Sequence, residues 1–300
     1  MNLAFIVAPL AISGISAALA ALISVTAKIV NNYGEVTIDV NDGAETLTFN
    51  GGANLLSSLA EQGIFIPSAC GGRGSCGECK VKVTSDIGPY MPTELPLLTK
   101  EQQKEQVRIS CQVKVKQDMS IEIPDELFKV QQLTATVESI TDVTHDIKEV
   151  LLKLPEGMDI DFVSGQYGQF SVPPYGKVKE STYRAYSMSS PPHDKEHLEF
   201  LIRLVPGGIV TTYVHEHLQE GQKVEVTAPF GDFYVRDTDA QMICVAGGSG
   251  MAPFKSIFQD MLHRGTLDNR DLCYFFGART KKGVFYLDWL YKLDEEHERF

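Results

Sequence analysis

The sequence has no low-complexity tract, no internal repeat and no excess of basic residues. With 43% hydrophobic and 22% charged residues, its composition is that of a folded protein and not of a disordered one. The 39 Asp and Glu residues outnumber the 27 Lys and Arg residues, and a net charge of -12 argues against a nucleic-acid partner, which a basic patch normally binds. A chain of 300 residues exceeds what one core usually serves, so two or three domains are expected.

The N-terminal segment lacks charge altogether. No charged residue occurs from Met1 to Ala27, and Ala, Leu, Ile and Val dominate the run. At about 1.5 Å per residue such a helix crosses roughly 30 Å of hydrocarbon, so residues 1–28 are predicted to be a transmembrane anchor. A cleaved signal peptide is the alternative, although no basic residue lies near Met1. Lys28 follows the run directly, which predicts a single span with the later domains in the cytoplasm.

Four of the six cysteines form one constellation. The loop reads Cys70-Gly-Gly-Arg-Gly-Ser-Cys76-Gly-Glu-Cys79, and Cys111 follows at a distance. Four thiolates with glycines that let backbone N–H groups approach are typical of a 2Fe-2S cluster. A zinc site and buried free thiols are the alternatives, but a four-cysteine zinc site usually pairs two short Cys-x2-Cys arms and only one is present.

The two remaining cysteines lie in apolar stretches. We expect Cys244 and Cys273 to be buried structural residues, since unpaired cysteine is often fully buried.

The region around the constellation predicts an α+β domain over residues 32–127. Alternating apolar residues on either side of Asn41-Asp42-Gly43 predict a hairpin over residues 31–49. Helical spacing over residues 54–62 ends at Gly63, a typical C-terminal cap.

Residues 130–237 have the pattern of an antiparallel β-barrel. Strands punctuated by Gly and Pro are predicted over residues 134–140, 147–154, 169–172, 198–203 and 223–227. Arg184-Ala185-Tyr186-Ser187 offers a cation, a flat ring and a donor, as a flavin requires, although four residues alone also fit an ordinary strand. A helix predicted over residues 213–218 follows a segment whose backbone can meet a pyrophosphate. The candidate contacts in that segment are Gly207, Gly208, Thr211 and Thr212.

Residues 240–300 predict a partial α/β domain that binds a nicotinamide nucleotide. An apolar strand over residues 241–246 leads into a glycine turn and a helix over residues 254–263. The Gly-x-Gly-x-x-Gly fingerprint is absent, and any α/β unit can carry a glycine turn. The candidate contacts are Gly247, Gly248, Gly250, Pro253 and Arg279.

These motifs resemble known families. The cysteine domain resembles the β-grasp 2Fe-2S ferredoxins, and the remainder resembles the ferredoxin-NADP reductase superfamily. Their order after a membrane span, with Pro92-Thr93-Glu94-Leu95 and Gly250-Met251-Ala252-Pro253, is similar over nearly the whole chain to the family of F subunits of sodium-translocating NADH:quinone reductases.

The resemblance implies roles for residues and partners. Cys70, Cys76, Cys79 and Cys111 would ligate the 2Fe-2S cluster. Arg184 would hold the phosphate of FAD, while Tyr186 against the ring and Ser187 near N5 would be the catalytic residues. Hydride would pass from NADH to FAD, and single electrons through the cluster to other integral membrane subunits and finally to quinone. Those subunits would transport sodium across the cell inner membrane.

Some features leave alternatives open. Relatives continue with a Cys-Gly-Pro-Pro segment and a terminal aromatic residue, so the nucleotide domain is expected to be truncated at its C-terminus. A reductase that serves an oxygenase, or a 2Fe-2S carrier without flavin, also fits part of the pattern. The choice between NADH and NADPH stays open.

Overall fold

The computed structural model describes the backbone of residues 4–30 and 33–300 and the side chains of residues 12–26 and 33–300. The chain divides into two compact units, Met1–Gln62 with Lys80–Ile123, and Gly63–Cys79 with Pro124–Phe300. The cysteine-rich loop therefore packs with the second unit, although it lies within the domain predicted over residues 32–127.

Helix α1 covers Ala4–Val30. Its apolar side chains are exposed where they are described, among them Ile12, Leu19 and Ile23. Within the described part of the chain, no helix is both long and apolar enough to cross a membrane. The predicted anchor over residues 1–28 lies partly outside the described residues.

The first unit is built on a five-stranded sheet of order β2-β1-β5-β3-β4, in which β1 and β5 are parallel and the other neighbours antiparallel. Its elements are β1 (Glu35–Val40), β2 (Glu45–Asn50), α2 (Leu55–Glu61), β3 (Lys80–Val83), α3 (Lys100–Lys104), β4 (Val107–Ile109) and β5 (Met119–Glu122). The predicted α+β class is confirmed for this unit.

Local sequence explains the ends of these elements. Asn41 and Asp42 take positive φ angles of 51° and 53° between β1 and β2, so the predicted hairpin is confirmed. Asn54 caps α2 by accepting a hydrogen bond from Ser57 N at 2.9 Å. Helix α2 buries Leu55 and Leu59 completely, which attaches it to the sheet core.

The second unit contains two sheets. Strands β6 to β11 form a six-stranded antiparallel sheet of order β10-β7-β6-β11-β8-β9, and β12 and β13 are parallel. Its elements are β6 (Gln131–Asp142), β7 (Ile147–Lys153), β8 (Tyr167–Val172), β9 (Thr182–Ser187), β10 (His197–Arg203), α4 (Ile209–Glu216), β11 (Lys223–Phe230), β12 (Met242–Gly247), α5 (Met251–His263), β13 (Leu272–Gly277) and α6 (Leu287–Glu296).

The large sheet is curled. A bridge between Met188 and Phe200 connects its two edges, and its inner face buries Phe170, Phe200 and Val226 completely. The antiparallel character predicted for residues 130–237 is confirmed. Helix α4 begins four residues before the predicted position and ends at Glu216, because buried Val210 and Val214 hold its first turns against the sheet.

The parallel pair packs one face against α5, where Phe254, Ile257 and Phe258 are buried. The same core includes Ile147 and Leu201 of β7 and β10, so α5 also lies against the outside of the curled sheet. Cys244 is buried as predicted, but the prediction for Cys273 is wrong. Strand alternation places Cys273 on the exposed face of β13.

Candidate functional site

The cysteine-rich loop has a backbone that few residues other than glycine tolerate. Gly71, Gly72, Gly74 and Gly77 have φ angles of 71°, 75°, 71° and 72°. Ser68 fastens the loop by accepting a hydrogen bond from Gly72 N at 2.8 Å. Such left-handed backbone conformations allow several backbone N–H groups of one loop to turn towards a single anionic group.

The electrostatics of the loop favour thiolate. Burial raises the pKa of the Cys70 thiol, but hydrogen bonds from the backbone of Ser75 and Cys76 and from their side chains outweigh it and lower the pKa from 9.0 to about 6. A lowered thiol pKa is the condition for a metal ligand. Among the described residues, no three His, Cys, Asp or Glu side chains converge on a single ion, whereas a cluster holds its ligands further apart, around irons and sulfides.

Cys111 belongs to the first unit and follows β4. It is 7% exposed and accepts a hydrogen bond from Gln112 Nε2 at 3.5 Å. The preceding Ser110 is fully buried, and its hydroxyl has no hydrogen-bond partner. A hydroxyl left without a partner in a core is an orphaned donor, which a cluster sulfide would satisfy.

A buried ion pair holds this segment. Arg108 donates to Glu94 from Nε at 2.9 Å and from Nη2 at 2.8 Å, and Ile109 N donates to the same carboxylate at 3.1 Å. Glu94 is fully buried. Because Arg108 lies three residues before Cys111, the pair sets the path of the chain into the cysteine. In the sequence Glu94 stands within a family motif, but nothing there predicted this role.

In the second unit, the cysteine-rich loop contacts the strand of the predicted flavin motif. A β-carbon built on Gly71 would stand 2.6 Å from Arg184 Nη1 and 3.1 Å from Tyr183 O. Arg184 Nη1 donates to Tyr183 O at 2.7 Å. Burial lowers the pKa of Arg184, and the charge of Arg73 lowers it further. Two neighbouring guanidinium groups favour an anion between or beside them.

The predicted catalytic residues lie at the end of β9. Tyr186 packs edge-on against Phe170 with ring centroids 6.4 Å apart, and burial raises its pKa. Ser187 pairs with Tyr167 of β8. Because side chains alternate along a strand, Arg184 and Tyr186 share one face and Ser187 lies on the other.

A second orphaned donor lies beside this motif. Gln169 on β8 pairs with Ala185, and its Nε2 is buried without a hydrogen-bond partner. By the same alternation, the Gln169 side chain lies on the face of Ser187 and not on that of Arg184. An acceptor atom of a flavin would satisfy this donor. The residues present therefore fit a bound flavin.

Helix α4 presents its N-terminus without a side-chain cap at Gly208. The hydroxyl of Thr211 is already used inside the turn, where it accepts from Val205 N at 3.2 Å and donates to Val205 O at 3.3 Å. Thr211 therefore holds the turn, while the first amides of the helix are left for a phosphate. Gly207 has a φ of 73°, and Thr212 is half-buried on the first turn.

The glycine turn of the nucleotide half lies at the carboxyl ends of both parallel strands. Gly247 of β12 pairs with Gly277 of β13, and a turn over Gly248–Gly250 leads into α5. In open α/β sheets this edge is where nucleotides bind. Arg279 is exposed just beyond β13, and Pro253 lies in the first turn of α5.

A further arginine lies beside this turn and was missed in the sequence. Arg203 Nη1 would be 3.8 Å from a β-carbon on Gly248, and Arg203 Nε donates to Asp146 Oδ2 at 2.8 Å. A single arginine inside a strand pattern gives no signal of such proximity.

Three family models match the chain in the predicted order. The model described as 2Fe-2S iron-sulfur cluster binding domain matches residues 38–116. The oxidoreductase FAD-binding domain matches residues 134–234, and the oxidoreductase NAD-binding domain matches residues 244–300. FAD, a 2Fe-2S cluster and a nicotinamide nucleotide are thus the cofactors of this chain.

Solved structures share the fold. The Amycolatopsis cytochrome P450 reductase GcoB is 28% identical with a TM-score of 0.69, over 88% of this chain and 79% of that one. The ferredoxin reductase of carbazole 1,9a-dioxygenase has a TM-score of 0.61 at 22% identity, over 89% of this chain and 77% of that one.

Sequence relatives are more similar. The F subunit of the Na(+)-translocating NADH-quinone reductase of Marinomonas is 39% identical over 335 aligned residues, which cover 100% of this chain and 81% of that protein. The same subunit of Neisseria gonorrhoeae is 39% identical, over 89% of this chain and 74% of that protein. With identity at this level across most of both sequences, the chain belongs to the family of Na(+)-translocating NADH-quinone reductase F subunits.

Proposed function

We propose that this chain is the electron-input subunit of a sodium-translocating NADH:quinone reductase. It takes hydride from NADH and passes single electrons to integral membrane subunits and finally to quinone, and those subunits transport sodium. The observation that carries this proposal is the contact of the cysteine-rich loop with Arg184 inside one compact unit. Electron transfer slows steeply with distance, so a cluster loop beside the flavin motif suits this route.

The residues act by holding and orienting the cofactors. Bound FAD supplies the conversion of a two-electron donor to one-electron transfer. Arg184 would hold the phosphate, Tyr186 would lie against the ring, and Ser187 would be the residue near N5. The segment of Gly207 and Gly208 and the first turn of α4 with Thr212 receive the pyrophosphate. The amides of Gly208 and Thr212 themselves donate to Val205 O at 2.8 Å and to Gly208 O at 3.0 Å, so the other amides of the first turn face the phosphate. Thr211 supports them through its bonds to Val205.

The nucleotide and the cluster have their own ligands. The turn at residues 247–250, with Pro253 and Arg279, receives NADH. Cys70, Cys76, Cys79 and Cys111 ligate the cluster; the family match over residues 38–116 includes all of them. The domains are the cluster domain at 32–127, the FAD domain at 130–237 and the NAD domain at 240–300.

Residues 1–28 anchor the chain in the cell inner membrane, with the later domains in the cytoplasm. The exposed apolar side chains of α1, such as Ile15 and Leu22, support this, because a large apolar surface in contact with water is unfavourable and often marks a membrane contact. The relatives are named as subunits of a Na(+)-translocating NADH-quinone reductase, and a complex that moves sodium across a membrane also favours a membrane location.

A reductase that serves an oxygenase is the second candidate, favoured by the structural similarity to GcoB.

The experiment that tests the proposed function is to purify the tagged chain from membranes in mild detergent. We expect integral membrane subunits to co-purify and NADH-dependent quinone reduction to respond to Na⁺. A chain that purifies alone and delivers electrons to a cytochrome P450 or a dioxygenase, but not to quinone, contradicts the proposal.

A further inference from the structure

Helix α5 carries a lysine into a nearly buried polar network. Lys255 Nζ is 3.0 Å from Glu149 Oε2 and 2.6 Å from Glu199 Oε1, and the Lys255 and Glu199 side chains are each 13% exposed. Tyr286, which precedes α6, places its hydroxyl 3.3 Å from the same ammonium and its ring centroid 4.6 Å away. The lysine thus connects α5 with the curled sheet and with the start of α6.

The two carboxylates come from neighbouring strands. Glu149 lies opposite Leu201 and Glu199 lies opposite Leu151 in the β7–β10 pair, so the acids are diagonal neighbours on one face. Tyr286 donates to Glu149, and Ser189 Oγ donates to Glu199 Oε1 at 2.7 Å. These donors stabilise the carboxylate charge that a single ammonium leaves uncompensated.

The next residue on α5 makes a second connection. Ser256 is fully buried, and its hydroxyl donates to Ser190 O at 2.7 Å. Ser189 N donates to Glu199 O at 2.8 Å, and Glu199 N donates to Ser190 Oγ at 3.1 Å. Residues 189–190 are therefore joined both to β10 and to α5.

The two segments joined by these contacts, residues 189–190 and the start of α5, each adjoin part of the proposed site. Residues 189–190 follow β9, which ends in Tyr186 and Ser187, with one residue between. Lys255 and Ser256 lie less than two helical turns after Gly250, where the nucleotide turn passes into α5. A helix is stiff over this distance, so holding Lys255 and Ser256 also holds the turn.

We propose that Lys255 and Ser256 form a clamp that sets the position of the glycine turn at 247–250 relative to the end of β9, with Lys255 as a positioning residue for hydride transfer to the flavin. The inference rests on the proposed function, because it concerns the approach of the nicotinamide to the flavin. A buried ion pair is weak evidence for stability alone, whereas its directional bonds specify one geometry. Small misplacement of reacting groups slows a reaction greatly.

The test compares Lys255→Met and Ser256→Ala with a control, Lys292→Met. Lys292 belongs to an exposed pair with Glu296 on α6, with a lysine side chain 66% exposed. We expect single-turnover flavin reduction at saturating NADH to slow about 10- to 100-fold in Lys255→Met, with FAD content and NADH affinity nearly unchanged. Ser256→Ala, which nearly keeps the volume of the side chain, is expected to slow it about tenfold.

A structural measurement accompanies the kinetics. Amide hydrogen exchange in residues 188–190 and 251–256 of the FAD-loaded protein should rise about tenfold in both clamp variants and not in Lys292→Met. Unchanged exchange and unchanged reduction in both variants overturn the proposal, as does a slowing that more NADH abolishes. If Lys255→Met does not fold, Ser256→Ala decides by the same criteria. If the wild-type flavin is not reduced by NADH, the proposed function fails, while the exchange comparison still judges the clamp.

Discussion

Among single residues, Glu94 has an environment that makes its charge valuable. Its carboxylate is fully buried and accepts from Arg108, from Ile109 N and, at 2.8 Å, from Met91 N. Removing one partner of a buried pair leaves the other charge without compensation. The segment that leads to Cys111 depends on this one side chain.

We predict that Glu94→Gln lowers the free energy of unfolding by about 3 kcal/mol, because it leaves Arg108 buried without its counter-charge. Glu122→Gln is the control, since Glu122 pairs with Lys82 at 2.7 Å with both side chains 42% exposed. The control should lose less than about 1 kcal/mol. Urea unfolding of the two variants measures the difference, and equal losses would contradict the prediction.

The same carboxylate predicts a pH dependence. Burial alone would raise the pKa of Glu94, but hydrogen bonds from Arg108, Met91 and Ile109 and the charge of Arg108 lower it below its usual 4.5. A lowered folded-state pKa adds stability that is complete above pH 4.5 and is lost as the pH falls through the folded-state value. The stability gap between wild type and Glu94→Gln should therefore narrow in acid. A gap that stays constant down to full protonation would refute this.

The role of a residue was predictable from the sequence where its partners lie close to it in the chain. The spacing of Cys70, Cys76 and Cys79 indicated a cluster loop directly. The pairing of Glu94 with Arg108 gave no such signal, because two charges fourteen residues apart meet only through the fold. Lys255 and Glu149 are separated by over a hundred residues and were equally unpredictable.

At the scale of elements, the cysteine-rich loop is shaped by its contact with β9. Gly71 and Gly63 both have left-handed backbones, with φ angles of 71° and 83°. A β-carbon on Gly71 meets Arg184 and Tyr183, whereas one on Gly63 meets nothing within 4 Å. The two positions separate backbone strain from contact with the flavin motif.

We predict that Gly71→Ala weakens FAD binding about tenfold or more, because its methyl group displaces the Arg184 guanidinium from Tyr183 O and so disturbs a charged hydrogen bond. Gly63→Ala should lose some stability through strain but keep FAD affinity. Fluorescence titration of the flavin-depleted proteins with FAD gives both affinities. The same weakening in both variants would show that strain, and not the contact with Arg184, matters.

The local sequence predicted some elements of secondary structure better than others. The β1–β2 hairpin was predicted because Asn41, Asp42 and Gly43 favour the left-handed turn locally. The start of α4 was predicted too late, since β-branched Val210 and Thr211 disfavour a helix and only burial against the sheet overrides them. Cys273 was wrongly predicted to be buried, because a short apolar strand has the same sequence pattern whether one or both of its faces are covered.

At the scale of the whole molecule, helix α1 carries a long exposed apolar surface. The described side chains of α1 are exposed although most are apolar, with Ile12 at 66% and Ile15 at 68%. Such an apolar surface is expected to be buried in a membrane or against another protein.

We predict that the full chain sediments with membranes and needs detergent for extraction, whereas a chain that begins at residue 33 stays in the supernatant. The shortened chain should keep its iron and flavin, because all their proposed ligands lie after residue 33. Fractionation with metal and flavin analysis tests both statements. Recovery of the full chain in the supernatant would contradict the anchor.

The cofactors and the electron order of the whole chain can be measured together. The most direct experiment is to determine iron, acid-labile sulfide and FAD per chain in detergent-purified protein and then to follow both chromophores after mixing with NADH. If one chain binds a 2Fe-2S cluster and FAD and reduces them with NADH, we expect two irons, two sulfides and one FAD per chain, with flavin absorbance lost before that of the cluster. A cluster without flavin, or a cluster reduced before the flavin, would contradict this.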